Sequence, residues 1–159
     1  MNGRVIDFQR LFHSGLRVND IEAAMDDLGA ALGLTWCELQ RRPQMVWTQE
    51  DGSCEVDLQF VYSRDGPQHV ELLEAPPGTP WHAGDQPGLH HLGVWVDDLP
   101  AEAARLIAGG WTVTLAQKPP GDGYGAFAYL QPPTGLLVEL VDARLEPRFE
   151  RWFAGGTLG

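Results

Sequence analysis

Two short phrases each occur twice in this chain, which constrains the fold to a duplicated module. The phrase HSGLRVNDI at 13–21 returns as HLGVWVDDL at 91–99, and VELLE at 70–74 returns as VELVD at 138–142. Repetition of several phrases in the same order is the signature of an internal duplication. Halves of about 75 residues bury little apolar surface alone, so we expect them to pack together.

The repeated phrases contain four potential metal ligands, one histidine and one glutamate in each half: His13, Glu71, His91 and Glu139. Two imidazoles and two carboxylates suit a divalent cation, and neither half provides the set alone. A single histidine on a strand is usually structural, but these recur in matched contexts. The pattern predicts one divalent metal ion, with Zn, Ni, Co, Mn, Mg and Fe all left open.

The periodicity of apolar residues predicts the element order β-α-β-β-β, written twice. Each helix has an aspartate, Asp20 or Asp98, in the N-cap position. A further helix is predicted near the C-terminus, followed by a glycine-rich tail that we expect to be disordered. Strands are predicted at 12–18, 35–41, 55–62, 69–73, 90–96, 111–116, 126–130 and 137–141.

The expected organisation is one domain over residues 1–159. Module one spans about 10–75, module two about 88–143, and a C-terminal extension covers 144–159. The segment 75–80 contains three prolines and a glycine and is the expected linker.

Composition excludes several classes of partner. The formal charge is −11 and the 159 residues include a single lysine, which opposes binding to nucleic acid or to an anionic membrane. No long apolar run predicts a membrane span or a signal peptide, so a cytoplasmic protein is expected. The two cysteines, Cys37 and Cys54, lack metal-site spacing and are expected to be buried thiols.

With these elements in place, the chain resembles the vicinal oxygen chelate superfamily. This group includes glyoxalase I, methylmalonyl-CoA epimerase, extradiol dioxygenases, and bleomycin and fosfomycin resistance proteins. The resemblance covers roughly residues 10–143 and rests on His-x-Gly-x-x-Val-x-Asp and Val-Glu-Leu in each half. It implies an α+β fold in which two tandem βαβββ modules form a curved mixed sheet around a metal-binding cleft. It also implies a homodimer.

The same resemblance suggests a divalent-metal-dependent lyase or isomerase, glyoxalase- or epimerase-like, that acts on a small oxo- or acyl-compound. The reaction would be a proton transfer through a metal-stabilised enediolate, with Glu71 or Glu139 as the base. Glu55 is a further candidate, because it resembles the second base of the epimerases. The alternatives are a resistance-type protein that binds a small molecule without catalysis and, less favoured, an Fe(II) extradiol dioxygenase.

Three residues are candidates for contacting a small-molecule substrate. Arg17 and Trp95 occupy equivalent positions beyond the two histidines, although core packing is an equal alternative for Trp95. A guanidinium at Arg17 suits a substrate carboxylate. Tyr124 lies in the glycine-rich segment 121–125, which resembles a mobile loop over the site or a simple hairpin connection.

Overall fold

The computed structural model describes residues 6–159. It confirms the α+β class: eight strands belong to a curved mixed sheet, and three α-helices accompany them. No helix in this described range is long and apolar enough to cross a membrane. The elements are β1 Leu11–Arg17, α1 Ile21–Leu32, β2 Gln40–Thr48, β3 Gly52–Tyr62, β4 His69–Glu74, β5 Gly88–Val96, α2 Leu99–Ala108, β6 Thr112–Ala116, β7 Phe127–Gln131, β8 Val138–Asp142 and α3 Glu146–Phe153.

The chain divides into two compact units, each assembled from separate segments. The module-one unit comprises residues 12–44, 56–90 and 147–159. The module-two unit comprises residues 45–55 and 91–146, with the described residues up to Leu11.

In the module-one unit, β1 pairs in parallel with β4, and β4 pairs antiparallel with β3. α1 begins where the Asp20 carboxylate accepts a hydrogen bond of 3.0 Å from the Ala23 amide, as the N-cap pattern predicts. Its apolar side packs on Val61 and Leu72, which are fully buried. Gly33 ends the helix with a φ of 68°, a conformation that glycine adopts without a steric penalty.

The module-two unit repeats this plan. β5 pairs in parallel with β8, and β7 pairs antiparallel with β8 and β6. Asp98 caps α2 by accepting from the Ala101 amide at 3.1 Å. In addition, β2 pairs with β6 through Trp47 and Ala116. The buried side chains that form this core are Val94, Val96, Leu99, Ala103, Leu106, Ala116, Ala128, Leu130, Val138 and Leu140.

The second strand lies later in the chain than the predicted 35–41. In the first part of that segment Trp36 forms an isolated bridge with Ser63, and the continuous strand β2 begins at Gln40. The β2–β3 turn explains the shift. There the Asp51 amide donates to Thr48 Oγ1 at 3.1 Å, and Gly52 adopts a φ of 68°. A tight turn at this position extends the strands on either side into the segment expected to be a polar loop.

The C-terminal tail is ordered by specific contacts, contrary to the expectation of disorder. α3 buries Trp152 completely, and Leu158 in the tail is only 2% exposed. Arg148 Nε donates to the Leu158 carbonyl at 2.6 Å. Arg64 donates to the carbonyl of Phe153 at 3.2 Å. A buried leucine and satisfied carbonyls offset the entropy cost that five residues rich in glycine would otherwise impose.

Candidate metal centre

The first histidine–glutamate pair lies on adjacent parallel strands. In the register of β1 and β4, Gly15 is opposite Glu71. Because side chains alternate along a strand, His13 lies on the same face as Gly15 and Glu71. His13 Nε2 is 3.3 Å from Glu71 Oε1, and both residues are buried.

The second pair repeats this geometry on β5 and β8. Gly93 is opposite Glu139 in the register, which places His91 and Glu139 on one face. His91 Nε2 is 3.3 Å from Glu139 Oε1. The duplication in the sequence is therefore a duplication of local ligand geometry.

Each of the four residues offers one ligand atom, and these atoms all lie within 4.8 Å of one another. Ligand atoms about 2.1 Å from an octahedral ion lie about 3.0 Å apart at right angles and about 4.2 Å apart on opposite sides. The two separations of 3.3 Å fall close to the first value. This buried His-Glu-His-Glu group therefore suits a divalent metal ion.

A tyrosine faces each glutamate, and neither tyrosine is among the site residues predicted from the sequence. Tyr62 is opposite Glu71 in the β3–β4 register, and Tyr129 is opposite Glu139 in the β7–β8 register. Each tyrosine ring also lies beside the histidine of its own pair, with ring centroids 5.0 Å apart in module one and 4.6 Å apart in module two. The signal was a third repeated phrase, FVY at 60–62 and FAY at 127–129.

His69 is a second buried histidine beside the first pair. It is opposite His13 in the β1–β4 register, and its Nδ1 lies 2.7 Å from the Ser63 carbonyl. Its ring stacks on Phe153 with centroids 3.7 Å apart. Burial is the main cause that lowers the pKa of His69 and favours its neutral form. With Nδ1 beside the carbonyl oxygen, the neutral ring donates from Nδ1, and we assign this histidine a structural role.

Arg17 lies on the face of β1 that carries His13, as the strand alternation predicts. One terminal nitrogen donates to the Pro80 carbonyl at 3.3 Å. Its Nε is buried and has no hydrogen-bond partner in the described part of the chain. A buried donor on a charged group is costly unless an acceptor meets it.

The other three predicted residues have different surroundings. Trp95 is buried on β5, on the face of His91, and lines a cavity of about 430 Å³. Tyr124 has a φ of 69° in the turn before β7 and packs against the module-two core. Glu55 is exposed on β3, seven residues before Tyr62, so alternation places it on the opposite face of that strand. None of these three belongs to the four-residue ligand group.

A profile of the glyoxalase/bleomycin resistance protein/dioxygenase superfamily matches residues 12–129. The chain belongs to this superfamily. Three of the four candidate ligands lie in the matched segment, and Glu139 lies beyond it.

Two named relatives are lactoylglutathione lyases. A probable lactoylglutathione lyase of Vibrio parahaemolyticus is 28% identical over 134 residues, which cover 83% of this chain and 89% of that protein. The lactoylglutathione lyase of Haemophilus influenzae is 24% identical, covering 84% and 92%. Among solved structures, a methylmalonyl-CoA epimerase from Streptomyces coelicolor, in complex with 2-nitronate-propionyl-CoA, has a TM-score of 0.59 at 22% identity. The alignment covers 84% of this chain and 93% of the epimerase chain. This last likeness concerns the fold.

Proposed function

We propose that the protein is a metal-dependent lyase or isomerase that acts on a small oxo- or acyl-compound by proton transfer. One observation carries the proposal: four buried ligand atoms of His13, Glu71, His91 and Glu139 lie within 4.8 Å of one another. The relatives named as lyases support the choice of an enzyme over a protein that only binds a ligand.

The charge of the group favours a divalent cation. Two ionised carboxylates with two neutral imidazoles sum to −2, and Glu71 and Glu139 are only 6% and 8% exposed. Ionised carboxylates are costly to bury unless a cation or strong donors compensate them. When bound, a divalent ion supplies Lewis acidity toward an oxygen next to the reacting carbon.

The two glutamates are the proposed proton carriers. Each is a carboxylate on a central position of its strand, held next to a histidine that limits its movement. A carboxylate at hydrogen-bond distance from an acidified C–H takes the proton on one Oε atom and can return it to the same or the neighbouring carbon. Delivery of a proton to the opposite face of the same carbon, which needs a second donor such as the other glutamate, gives epimerisation, and return to the neighbouring carbon gives isomerisation. The histidine–glutamate distance is 3.3 Å in both pairs, so separate variants of Glu71 and Glu139 are needed to assign the base.

Arg17 is the proposed contact for a carboxylate on the substrate. Its Nε is buried and has no hydrogen-bond partner in the described residues, so a substrate oxygen would satisfy it. Arg17 lies four residues beyond His13 on β1, about 13 Å along the strand. This spacing suits a substrate whose acidic group is several bonds away from the reacting carbon.

Metal content and turnover test the proposal together. We expect wild-type protein to bind about one divalent ion per chain and to act on one of three substrate classes: hemithioacetals, methylmalonyl-CoA or 2-oxo acids. Glu139→Gln should retain metal poorly and lose turnover. Glu50→Gln makes the same chemical change at an exposed turn and should behave like wild type. Absence of metal binding at micromolar concentrations contradicts the proposal, and metal binding without any turnover favours the ligand-binding alternative.

A further inference from the structure

The hydroxyl of Tyr62 lies against the ring of the candidate ligand His13. Its oxygen is 3.4 Å from Nδ1 and 3.5 Å from Nε2. Nε2 also lies 3.3 Å from Glu71 Oε1, and for this reason we assign Nε2 to the cation. With Nε2 assigned to the cation, Nδ1 is the ring nitrogen that can donate to the tyrosine oxygen. Both distances are longer than the 2.7–3.2 Å of a typical N–H···O bond, so the hydroxyl makes a weak contact with the ring.

The C-terminal helix encloses the ring of Tyr62. Three aromatic side chains of α3, those of Phe149, Trp152 and Phe153, have ring centroids 5.6, 5.4 and 5.8 Å from that of Tyr62. Tyr62 is 4% exposed as a result. Aromatic pairs at such distances stabilise one relative orientation beyond the burial of area alone. α3 lies outside the segment 12–129 that matches the superfamily profile.

We propose that Tyr62 is a positioning residue for His13, and that α3 holds Tyr62 in place. The proposal rests on the metal site described above. A histidine ligand binds a cation best when its ring is already turned toward the ion, and a partner on the other ring nitrogen provides this orientation. The Tyr62 hydroxyl is a polar group beside the His13 ring, within 3.5 Å of both ring nitrogens, and the aromatic side chains of α3 pack around the Tyr62 ring.

The matching tyrosine of module two supports this reading independently of α3. Tyr129 faces Glu139 and its ring lies 4.6 Å from that of His91, centroid to centroid. A tyrosine in the same register beside each histidine–glutamate pair points to a role at the pair, because packing alone is satisfied by any large apolar side chain.

Tyr62→Phe is the first test, because it removes the hydroxyl and keeps the ring. Titration of the metal-free protein with Zn²⁺ and with Co²⁺ measures the affinity directly, without any assay of turnover. Loss of a group that contacts a metal-binding histidine typically weakens metal binding 10–100-fold. Because the contact between the Tyr62 hydroxyl and the His13 ring is long, we expect the affinity to fall by about tenfold. The visible spectrum of bound Co²⁺ should shift, since the ring of His13 is less constrained. Melting in chelator should stay close to that of wild type.

Tyr124→Phe is the matched control, because it removes the same hydroxyl from a tyrosine outside the ligand group. Its metal affinity and Co²⁺ spectrum should equal those of wild type. If Tyr62→Phe binds metal as tightly as wild type with an unchanged spectrum, the positioning role is overturned while the metal site stands. If wild-type protein binds no divalent ion, both the site and this inference are overturned.

Phe153→Leu tests the part assigned to α3. It replaces one of the aromatic rings that enclose Tyr62 with a smaller aliphatic side chain and should weaken Co²⁺ binding a few-fold in the wild-type background. In the Tyr62→Phe background the same change should have almost no further effect on affinity, because the hydroxyl it supports is already absent. If Phe153→Leu lowers the Co²⁺ affinity by the same factor in wild type and in Tyr62→Phe, α3 does not act through the Tyr62 hydroxyl.

Discussion

Gly15 lies directly opposite Glu71 in the parallel pairing of β1 and β4, and it shares a face with His13. Gly93 has the same relationship to Glu139 on β5 and β8. Any other residue would project a side chain from the same face, next to that histidine and glutamate. The glycine of the repeated His-x-Gly phrase is thus explained by the space that the ligand group requires.

We expect Gly15→Val and Gly93→Val each to weaken metal binding by at least about tenfold. A branched side chain at either position displaces the neighbouring carboxylate, and ligand distances in metal sites tolerate only about 0.2 Å of change. Ser14→Val is the control, since it adds a similar side chain on the opposite face of β1. Calorimetric titration with Zn²⁺ measures the metal affinity of all three variants. If Ser14→Val loses as much metal affinity as Gly15→Val, the effect comes from general destabilisation of β1.

Divalent metal should raise the melting temperature of the wild-type protein. A ligand at 100 times its Kd stabilises the folded state by about 2.7 kcal/mol, which for a chain of this size corresponds to roughly 5–10 °C. Glu139→Gln should lose most of this shift while melting near wild type in chelator. Scanning calorimetry with and without Zn²⁺ gives both values. A shift of the same size in Glu139→Gln would exclude this glutamate as a ligand.

The ligand group could be predicted from the sequence because its signals are local and repeated. Each histidine lies in the first strand of its module, each glutamate lies in a Val-Glu-Leu strand, and the duplication indicates that they belong together. The helix caps Asp20 and Asp98 could be predicted for the same reason: capping depends on residues three positions apart, and both side chains accept the expected bond.

The features that were missed depend on contacts between distant segments. The predicted position of β2 is too early because residues 40–44 are polar or proline and show no apolar alternation, and the turn at Gly52 sets where the strand ends. The tail was expected to be disordered from its glycine content, yet Arg148 and the buried Leu158 hold it. The partner of Tyr62 at His13 is 49 residues away in the chain, so only the third repeated phrase pointed to it.

The two cysteines should differ sharply in reactivity, which corrects the expectation that both are buried. Cys54 is exposed, whereas Cys37 is buried and burial raises its pKa to about 11. The thiolate is the reactive form, so at pH 8 a thiol reagent should modify Cys54 within minutes and leave Cys37 intact. Mass spectrometry should find one label per native chain and two after denaturation. Rapid labelling of native Cys54→Ser protein would contradict the burial of Cys37.

Stability should fall in acid partly through Asp142. The Arg144 side chain and amide donate to this carboxylate, with Arg144 Nε 2.9 Å from Oδ2, and these bonds lower the pKa of Asp142 in the folded protein. A folded-state pKa below the unfolded value of about 3.9 means that the stabilisation is present above that value. It is lost as the pH falls through the lower folded-state pKa.

Arg144→Gln should therefore lower the urea midpoint at pH 7 and have a smaller effect at pH 3, because pH 3 lies below the unfolded-state pKa of about 3.9 and the stabilisation from the ionised carboxylate is already declining in wild type. Asp142→Asn keeps an acceptor for the Arg144 amide and removes the charge, so its loss of stability at pH 7 should equal or exceed that of Arg144→Gln. Arg151→Gln, an exposed arginine on α3, controls for the change in net charge. An effect of Arg144→Gln that is equal at the two pH values would show that its bonds to Asp142 do not depend on the ionised carboxylate.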